Sequence, residues 1–314
     1  MEKKEPNLKK QGEILDNKYI IERYLDYGGF STVYKVIDIT NNTIYALKLF
    51  NEDDDTFKNE VKINKIIKEN KNQYCIGFID SSSEKLEQPY IILEFASKGS
   101  VLNYITFNGM GFIETFCKIL FRKILIIVQS LHKIGICHRD LKLENFLFSG
   151  DNFTIKASDF GLSTQIIKDI QGNPKKQIGE VGTSYYKAPE MFKNKYYDVE
   201  KADIFSLGVN LFNLRTGKYG FENAKENDEL YKYIKQGNIE YYWIKLGQIL
   251  NVDDLTEEFK NLYIKIVTFE PENRPTIEEI YRDVWFKEIK YLTDKKLKEY
   301  GEKLIKELKK REKG

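Results

Sequence analysis

The first third of the chain alternates apolar and polar residues over short runs that are separated by turn signals. Val33-Tyr-Lys-Val-Ile-Asp-Ile39 alternates in this way, Asn41-Asn42 reads as a hairpin turn, and Ile44-Tyr-Ala-Leu-Lys-Leu-Phe50 resumes the run. A period of two residues is typical of strands, and two asparagines between such runs favour a hairpin. The apolar run Tyr90-Ile-Ile-Leu-Glu-Phe95 predicts a further, buried strand. This part of the chain therefore predicts a small sheet.

A spacing of three to four residues between apolar positions predicts helices, one within the first third and most of them beyond it. A strand-rich first third followed by a helix-rich remainder predicts an α+β chain with two lobes. The apolar positions are Phe57, Val61, Ile63, Ile66 and Ile67 in a helix over Thr56 to Lys68, then Leu120, Phe121, Ile124, Leu125, Val128 and Leu131, then Ile204, Leu207, Leu211 and Leu214, and finally Leu297, Tyr300, Leu304 and Leu308 in a basic C-terminal stretch.

Composition narrows the classes of protein that the chain can belong to. Of its 314 residues 41% are apolar and 31% charged, the balance of a globular chain with a sizeable core. Fifty basic residues face forty-eight acidic ones, so the net charge of +2 predicts neither a nucleic-acid nor a membrane partner. Three scattered cysteines argue against a disulfide framework, and the first residues carry no apolar signal region. Together these features predict an intracellular, cytoplasmic location.

Three motifs stand in order along the chain. His138-Arg-Asp-Leu-Lys-Leu-Glu-Asn145 comes first, Asp159-Phe-Gly161 follows, and Ala188-Pro-Glu190 comes last, while Tyr45-Ala-Leu-Lys48 lies upstream on a predicted strand. At these residues the sequence resembles the eukaryotic protein kinase family, over about residues 19–289. The Leu-Lys-Leu-Glu-Asn variant and the closing Val284-Trp-Phe286 are most similar to the calcium/calmodulin-dependent group.

The resemblance implies the two-lobed protein kinase fold, with a small β-rich N-lobe that carries one main helix and a larger helical C-lobe. It divides the chain into a tail over 1–18 and a kinase domain over 19–289. Within that domain the N-lobe covers about 19–93, the hinge 94–98 and the C-lobe 99–289. Residues 290–314 remain as a basic amphipathic helix, for which we expect either packing or a regulatory partner.

The resemblance also implies a role for each residue of an active site that uses ATP and Mg²⁺ or Mn²⁺ to phosphorylate a protein substrate. Lys48 would hold the α- and β-phosphates and pair with Glu60, Asn145 and Asp159 would bind the metal, and Asp140 would accept the proton of the substrate hydroxyl. Lys142 and Thr183 match the serine/threonine type, and Glu190 is expected to form a buried ion pair with Arg274. The adenine side would consist of Leu25, Gly28, Val33, Ala46 and Leu147, with main-chain contacts from Glu94 and Ala96.

Two departures from the family pattern leave a second hypothesis open, that of a catalytically weak or inactive kinase-fold scaffold or binding protein. Asp26 and Ser31 replace the outer glycines of the glycine-rich loop, around Gly28. Asn64 stands where the family places an apolar residue that packs with Phe78, and a buried amide without a partner costs about 1–3 kcal/mol.

A third departure, Phe205 in place of the usual Trp, keeps the apolar bulk and changes little. A separate feature is the segment from Gln165 to Gly182, which contains no Ser, Thr or Tyr. Many kinases with an Arg before the catalytic Asp, here Arg139, need a phosphate on this segment to neutralise it. We therefore expect activity without phosphorylation of the segment, with Glu180 pairing with Arg139. The alternative is that Glu180 is solvated and that packing holds the segment.

Overall fold

The computed structural model describes residues 9–29, 31–51, 55–83, 86, 88–108, 111–150, 154–167, 177–193, 196–250, 254–291, 298, 299, 302, 303 and 306. The chain divides into two compact units. Unit 1 comprises Met1–Ser97 and Ser158–Gly161, and unit 2 comprises Lys98–Ala157 and Leu162–Gly314.

Unit 1 is built around an antiparallel sheet, which has six strands among the described residues, in the order β1-β2-β3-β4-β6-β5. One long helix, α1, follows β4 in the chain. The predicted hairpin and the predicted buried strand are thereby confirmed. The elements are β1 (Ile14–Leu15), β2 (Tyr19–Tyr27), β3 (Ser31–Asp38), β4 (Ile44–Phe50), α1 (Asp55–Glu69), β5 (Phe78–Ser81) and β6 (Tyr90–Glu94).

The two faces of this sheet carry separate apolar clusters, because side chains alternate along each strand. Strand β4 shows the alternation most clearly. Its Leu47 and Leu49 belong to one cluster, whereas Phe50 belongs to the other, which includes Phe57 and Val61 of α1. The face of β4 that carries Phe50 therefore also carries Ala46 and Lys48, and α1 packs on that side.

Residues 9–18 differ from the loose tail that the sequence predicts. This stretch is mostly polar, but its two apolar residues Ile14 and Leu15 form β1 and pair with Ile20 and Tyr19 of β2. The backbone N–H of Lys9 also donates to the Tyr34 hydroxyl at 3.0 Å. A two-residue strand is too short to give a periodic pattern, so the sequence carries no signal for it.

Unit 2 is mainly helical and has two short two-stranded sheets among its described residues, β7 with β10 and β8 with β9. Short 3₁₀ helices connect several of its elements. The longer elements are α2 (Val101–Asn108), α3 (Glu114–Lys133), β7 (Ile136–Cys137), β8 (Phe146–Ser149), β9 (Thr154–Ala157), β10 (Thr164–Gln165), α4 (Val199–Thr216), α5 (Tyr231–Lys235), α6 (Ile239–Leu250), α7 (Glu257–Ile266) and α8 (Ile277–Arg282).

Helix α4 forms the centre of unit 2. Every residue from Ala202 to Leu214 is buried, so this helix is buried on all sides. Its start is capped by the Asp198 carboxylate, which accepts from the backbone N–H groups of Glu200 and Lys201. Its end is marked by Gly217 in the left-handed conformation at φ 70°. The apolar positions predicted for α3 and α4 are all buried, as expected.

The predicted ion pair between Glu190 and Arg274 is confirmed. The two guanidinium Nη atoms donate to the two carboxylate oxygens at 2.6 and 2.7 Å, in a bidentate arrangement. Arg274 is only 2% exposed, and it also donates to the carbonyls of Thr268, Lys201 and Phe269. This arginine therefore connects four separate segments of unit 2.

In the part of the chain that the structure describes, we find no helix with the length and apolarity required to cross a membrane. The apolar face predicted for the C-terminal stretch consists of Leu297, Tyr300, Leu304 and Leu308, and all four lie outside the described residues.

Candidate active site

A buried lysine joins two carboxylates in unit 1. Lys48 lies on β4, and its Nζ is 2.6 Å from Glu60 Oε2 on α1 and 2.7 Å from Asp159 Oδ1. The Glu60 side chain is fully buried, whereas that of Asp159 is 45% exposed. The predicted Lys48–Glu60 pair is thus confirmed, and the structure adds Asp159 to it.

The two buried members of this group respond differently to their surroundings. Burial disfavours the Lys48 ammonium, but the carboxylates of Asp159 and Glu60 outweigh burial, so the pKa of Lys48 lies above its ordinary value. Burial raises the pKa of Glu60 to about 7, because the Lys48 ammonium offsets only part of the desolvation and the Asp159 carboxylate adds repulsion. Lysine has two anionic partners, whereas Glu60 has one cation. The ammonium of Lys48 therefore strongly retains its positive charge.

The segment Ser158–Gly161 is attached to α1 within unit 1. Asn59 Nδ2 donates to the Gly161 carbonyl at 2.9 Å, and Phe160 is buried. Asp159, which precedes Phe160 in the chain, has left-handed backbone at φ 64°. These contacts place the Asp159 carboxylate beside Lys48 and leave much of it exposed.

A second cluster lies in unit 2 around Asp140, which is 6% exposed. One carboxylate oxygen of Asp140 accepts from the Thr183 backbone N–H at 2.8 Å, and the other lies 2.9 Å from Lys142 Nζ. Lys142 Nζ also donates to Thr183 Oγ1 at 3.0 Å. Three residues that the sequence singles out therefore form one hydrogen-bonded group.

The backbone of the loop that carries Asp140 is held by a residue that the sequence analysis missed. Asp203 of α4 accepts from the backbone N–H groups of His138 and Arg139, both at 2.9 Å, and Arg139 has left-handed backbone at φ 65°. Gly182 approaches the same loop closely, since its φ is 90° and an added Cβ would lie 2.6 Å from the Arg139 carbonyl oxygen. The loop shape therefore depends on Asp203 and Gly182 as well as on the residues of the His138–Asn145 motif.

The residues predicted to bind a metal supply the oxygen donors that Mg²⁺ prefers. In unit 1 the exposed part of the Asp159 carboxylate offers such an oxygen. In unit 2 Asn145 Nδ2 donates to the Asp140 carbonyl at 2.9 Å, which fixes the orientation of its amide group and so of the amide oxygen. Each residue by itself fits a magnesium ligand, and the set they form stays a prediction.

The residues predicted around adenine are half-buried wherever they carry a side chain that could contact a ligand. Val33 and Ala46 lie on the same face of the sheet as Lys48, because Val33 pairs with Lys48 across β3 and β4. Their binding of adenine stays a prediction. The others lie on β2 (Leu25), after it (Gly28), at the end of β6 (Glu94) and beyond it (Ala96) in unit 1, and on β8 (Leu147) in unit 2.

The altered glycine-rich loop is accommodated locally. The Asp26 side chain is exposed and accepts from the Tyr27 backbone N–H at 2.8 Å, so this carboxylate faces solvent. Ser31 is buried, and its carbonyl accepts from the Gly28 N–H at 2.9 Å. The β2–β3 register is irregular between Tyr24 and Asp26, but pairing continues through Asp26 with Val33 and Tyr27 with Thr32, so the hairpin still closes. This weakens the argument for an inactive scaffold.

Asn64 is buried on α1, as the family position requires. Its Nδ2 donates to the Glu60 carbonyl one turn earlier at 3.0 Å, but its Oδ1 is buried and has no hydrogen-bond partner among the described residues. A side-chain bond to the carbonyl four residues earlier in the same helix uses only the N–H donor of the amide and leaves its oxygen unbonded. The predicted underpairing of this amide is therefore confirmed for the oxygen.

Replacing Asn64 by Leu is expected to raise the melting temperature by a few degrees, since an unpaired buried acceptor costs about 1–3 kcal/mol. The matched control is Asn70→Leu. Asn70 makes the same bond to the Ile66 carbonyl, at 2.9 Å, but is exposed, so its replacement should not raise the melting temperature. Thermal unfolding of the two variants decides the question, and a fall for Asn64→Leu would reveal a partner for Oδ1.

The expected pairing between Glu180 and Arg139 is wrong. Glu180 Oε1 lies 3.3 Å from Lys187 Nζ instead, and the Glu180 side chain is about half exposed. The Arg139 guanidinium lies beside Gly179 instead, where an added Cβ would be 3.2 Å from its Nη2. A carboxylate one residue from the expected phosphate site therefore pairs with a lysine further along the chain, and it forms no ion pair with Arg139.

Residues 19–286 match the family model described as protein kinase domain, so the chain belongs to the protein kinase family. The chain is 30% identical over 301 residues to CBL-interacting protein kinase 26 of Oryza sativa subsp. japonica, covering 93% of this chain and 57% of that protein. It is 30% identical over 288 residues to CBL-interacting serine/threonine-protein kinase 13 of Arabidopsis thaliana, covering 88% and 53%.

A third relative is calcium-dependent protein kinase 27 of Oryza sativa subsp. japonica, 29% identical over 292 residues, which cover 88% of this chain and 44% of that protein. The chain thus spans about half the length of the curated relatives it matches. The resemblance to the serine/threonine kinases, the α+β class and the kinase fold are confirmed.

Proposed function

We propose that this chain is an ATP-dependent protein kinase that transfers the γ-phosphoryl group of ATP to serine and threonine hydroxyls of protein substrates. The observation that carries the proposal is the group formed by Asp140, Lys142 and Thr183, in which both oxygens of a buried carboxylate are positioned by neighbours 2.8 and 2.9 Å away. A carboxylate held in this way is suited to accept a proton from a hydroxyl that approaches it.

Phosphoryl transfer needs positioning and charge stabilisation more than covalent help. In the proposed mechanism Lys48 holds the α- and β-phosphates, and Glu60 directs its ammonium. Asp140 accepts the proton of the acceptor hydroxyl while that oxygen bonds to the γ-phosphorus and the bond to the leaving oxygen of ADP breaks. Lys142 steadies the Asp140 carboxylate and adds positive charge beside the transferred group.

Asn145 and Asp159 are the residues proposed to hold Mg²⁺, or Mn²⁺. When bound, the cation supplies positive charge that neutralises the phosphate oxygens. The exposed Asp159 carboxylate and the oriented Asn145 amide contribute hard oxygen atoms, which fits such a cation better than zinc or copper.

The test of the function is incorporation of labelled phosphate from Mg·ATP into a mixed protein substrate, with wild type compared against Asp140→Ala. We expect labelled serine and threonine after hydrolysis, and a rate for Asp140→Ala lower by about 10²–10⁴-fold. Equal incorporation by the two proteins would show that Asp140 is not the base. Absence of incorporation by folded wild type would favour the scaffold reading instead.

The regulatory partner stays a prediction. Two relatives named above carry the words "CBL-interacting" in their names, which is a statement about those proteins. For this chain a regulatory partner is proposed at residues 290–314, most of which lie outside the described residues.

A further inference from the structure

Residues 177–187 form the segment that contains Thr183, and this segment is anchored at its first residue, Gln177. Gln177 exchanges two backbone hydrogen bonds with Tyr197, both at 2.8 Å. Its side chain accepts from Thr164 Oγ1 and donates to the Gln165 carbonyl, again at 2.8 Å in each case. Four hydrogen bonds therefore connect Gln177 to β10 on one side and to the start of α4 on the other.

The Tyr197 hydroxyl makes the next connection. Tyr197 is 3% exposed, and its hydroxyl donates to the Gly179 carbonyl at 3.0 Å. Burial raises the pKa of the Tyr197 hydroxyl, and the nearby Arg139 guanidinium offsets part of that rise. The hydroxyl therefore lies beside the guanidinium while its single proton is donated to the Gly179 carbonyl.

Gly179 allows the guanidinium to come this close. Its φ of 131° lies in the left-handed region, and a Cβ added there would be 3.2 Å from Arg139 Nη2. The Tyr197 hydroxyl and the Gly179 backbone thus lie next to the Arg139 guanidinium, where the sequence analysis expected Glu180. Among the described residues no carboxylate forms an ion pair with Arg139.

These contacts connect the segment at two points to the loop that carries Arg139 and Asp140, here called the catalytic loop. Near its start, Tyr197 holds Gly179, whose backbone lies beside the Arg139 guanidinium. Four residues further on, the Thr183 N–H donates to Asp140, which follows Arg139 in the chain. Displacement of the first contact would change the backbone that presents Thr183. The hydroxyl of Tyr197 is therefore placed to affect the orientation of Asp140 without touching a reactant.

We propose that Tyr197, assisted by Gln177, is a positioning residue that holds residues 177–187 against the catalytic loop, in the role that a segment phosphate has in kinases that require one. Turnover then does not depend on phosphorylation of this segment. The inference rests on the proposed kinase function.

The experiment compares Tyr197→Phe with Tyr242→Phe in the full chain. Tyr242 is the matched control, because it is also fully buried in unit 2 and its hydroxyl donates to a backbone carbonyl, that of Gly220, at 3.2 Å. Both variants lose one buried hydroxyl, and both should melt at slightly lower temperatures. We expect Tyr197→Phe alone to lower kcat, by about tenfold, with KM for ATP unchanged.

Two further measurements separate positioning from general weakening. Amide hydrogen exchange over residues 177–183 should accelerate in Tyr197→Phe and stay at the wild-type rate in Tyr242→Phe. Wild type produced without other kinases and treated with phosphatase should retain its initial rate. Equal kcat values for both variants would overturn the proposal, as would a loss on dephosphorylation traced to Ser163, Thr164 or Ser184. An inactive but folded wild type would instead contradict the proposed function, whereas the exchange result would still stand.

Discussion

Replacing Asp159 by Ala is expected to reduce phosphate transfer by at least about a thousandfold while the protein stays folded. The change removes the oxygen donor proposed for the metal, and it removes the anion that lies 2.7 Å from the Lys48 ammonium. Lys48 keeps Glu60 as a partner at 2.6 Å, so the buried charge stays compensated and the melting temperature should move by only a few degrees.

The measurement is incorporation of labelled phosphate from Mg·ATP, together with thermal unfolding. Asp80→Ala serves as the control, since Asp80 is an exposed carboxylate on β5 of the same unit and should have no effect on either quantity. Lys48→Met should be equally inactive but less stable than Asp159→Ala, because it leaves the fully buried Glu60 without its cation. Near-wild-type transfer by Asp159→Ala would rule out the assigned mechanism.

Replacing Glu190 by Ala is expected to lower the melting temperature by about 10 °C. The guanidinium of Arg274 would remain in the core of unit 2 without its bidentate partner, and breaking a buried pair in this way costs about 3–5 kcal/mol. Its remaining bonds to carbonyl groups do not neutralise the charge. Glu190→Gln keeps the size and one acceptor, so an intermediate loss is expected.

The control for this change is Glu226→Ala. Glu226 also pairs with a cation, Lys235, at 2.7 Å, but its side chain is 56% exposed, and exposed pairs contribute little to stability. Differential scanning calorimetry on the three variants measures the effect. A shift for Glu190→Ala no larger than that for Glu226→Ala would mean that the Arg274 guanidinium reaches solvent once the partner is removed.

Pairs of charged residues within recognisable motifs could be predicted from the sequence, because their chemistry requires both partners. Lys48 with Glu60 and Glu190 with Arg274 are such pairs, and both form as expected. The strands of the β3–β4 hairpin were also predictable, since a strand with one buried face buries every second residue. The apolar face of α3 was predictable because a helix that packs on one side repeats its apolar residues every three to four positions.

The contacts that position the catalytic loop could not be predicted in the same way. Asp203, Gln177 and Tyr197 act on backbone atoms, and a backbone N–H or carbonyl is the same for every residue type. No residue spacing signals such a contact before the fold is known. Glu180 illustrates a prediction that failed for another reason. Its negative charge lies one residue from the expected phosphate site, but its carboxylate pairs with Lys187.

The left-handed backbone of Arg139 and Asp159 has a consequence for the energy of the two loops. Their φ angles of 65° and 64° cost residues with a Cβ roughly 1–2 kcal/mol each compared with an ordinary helical conformation. Isolated peptides of the same sequence would therefore relax to other shapes. In the folded chain the Asp203 carboxylate holds the first loop and Asn59 the second, so the strain is borne before any substrate arrives. The carboxylates of Asp140 and Asp159 are in this sense preorganised, each by contacts within its own unit of the fold.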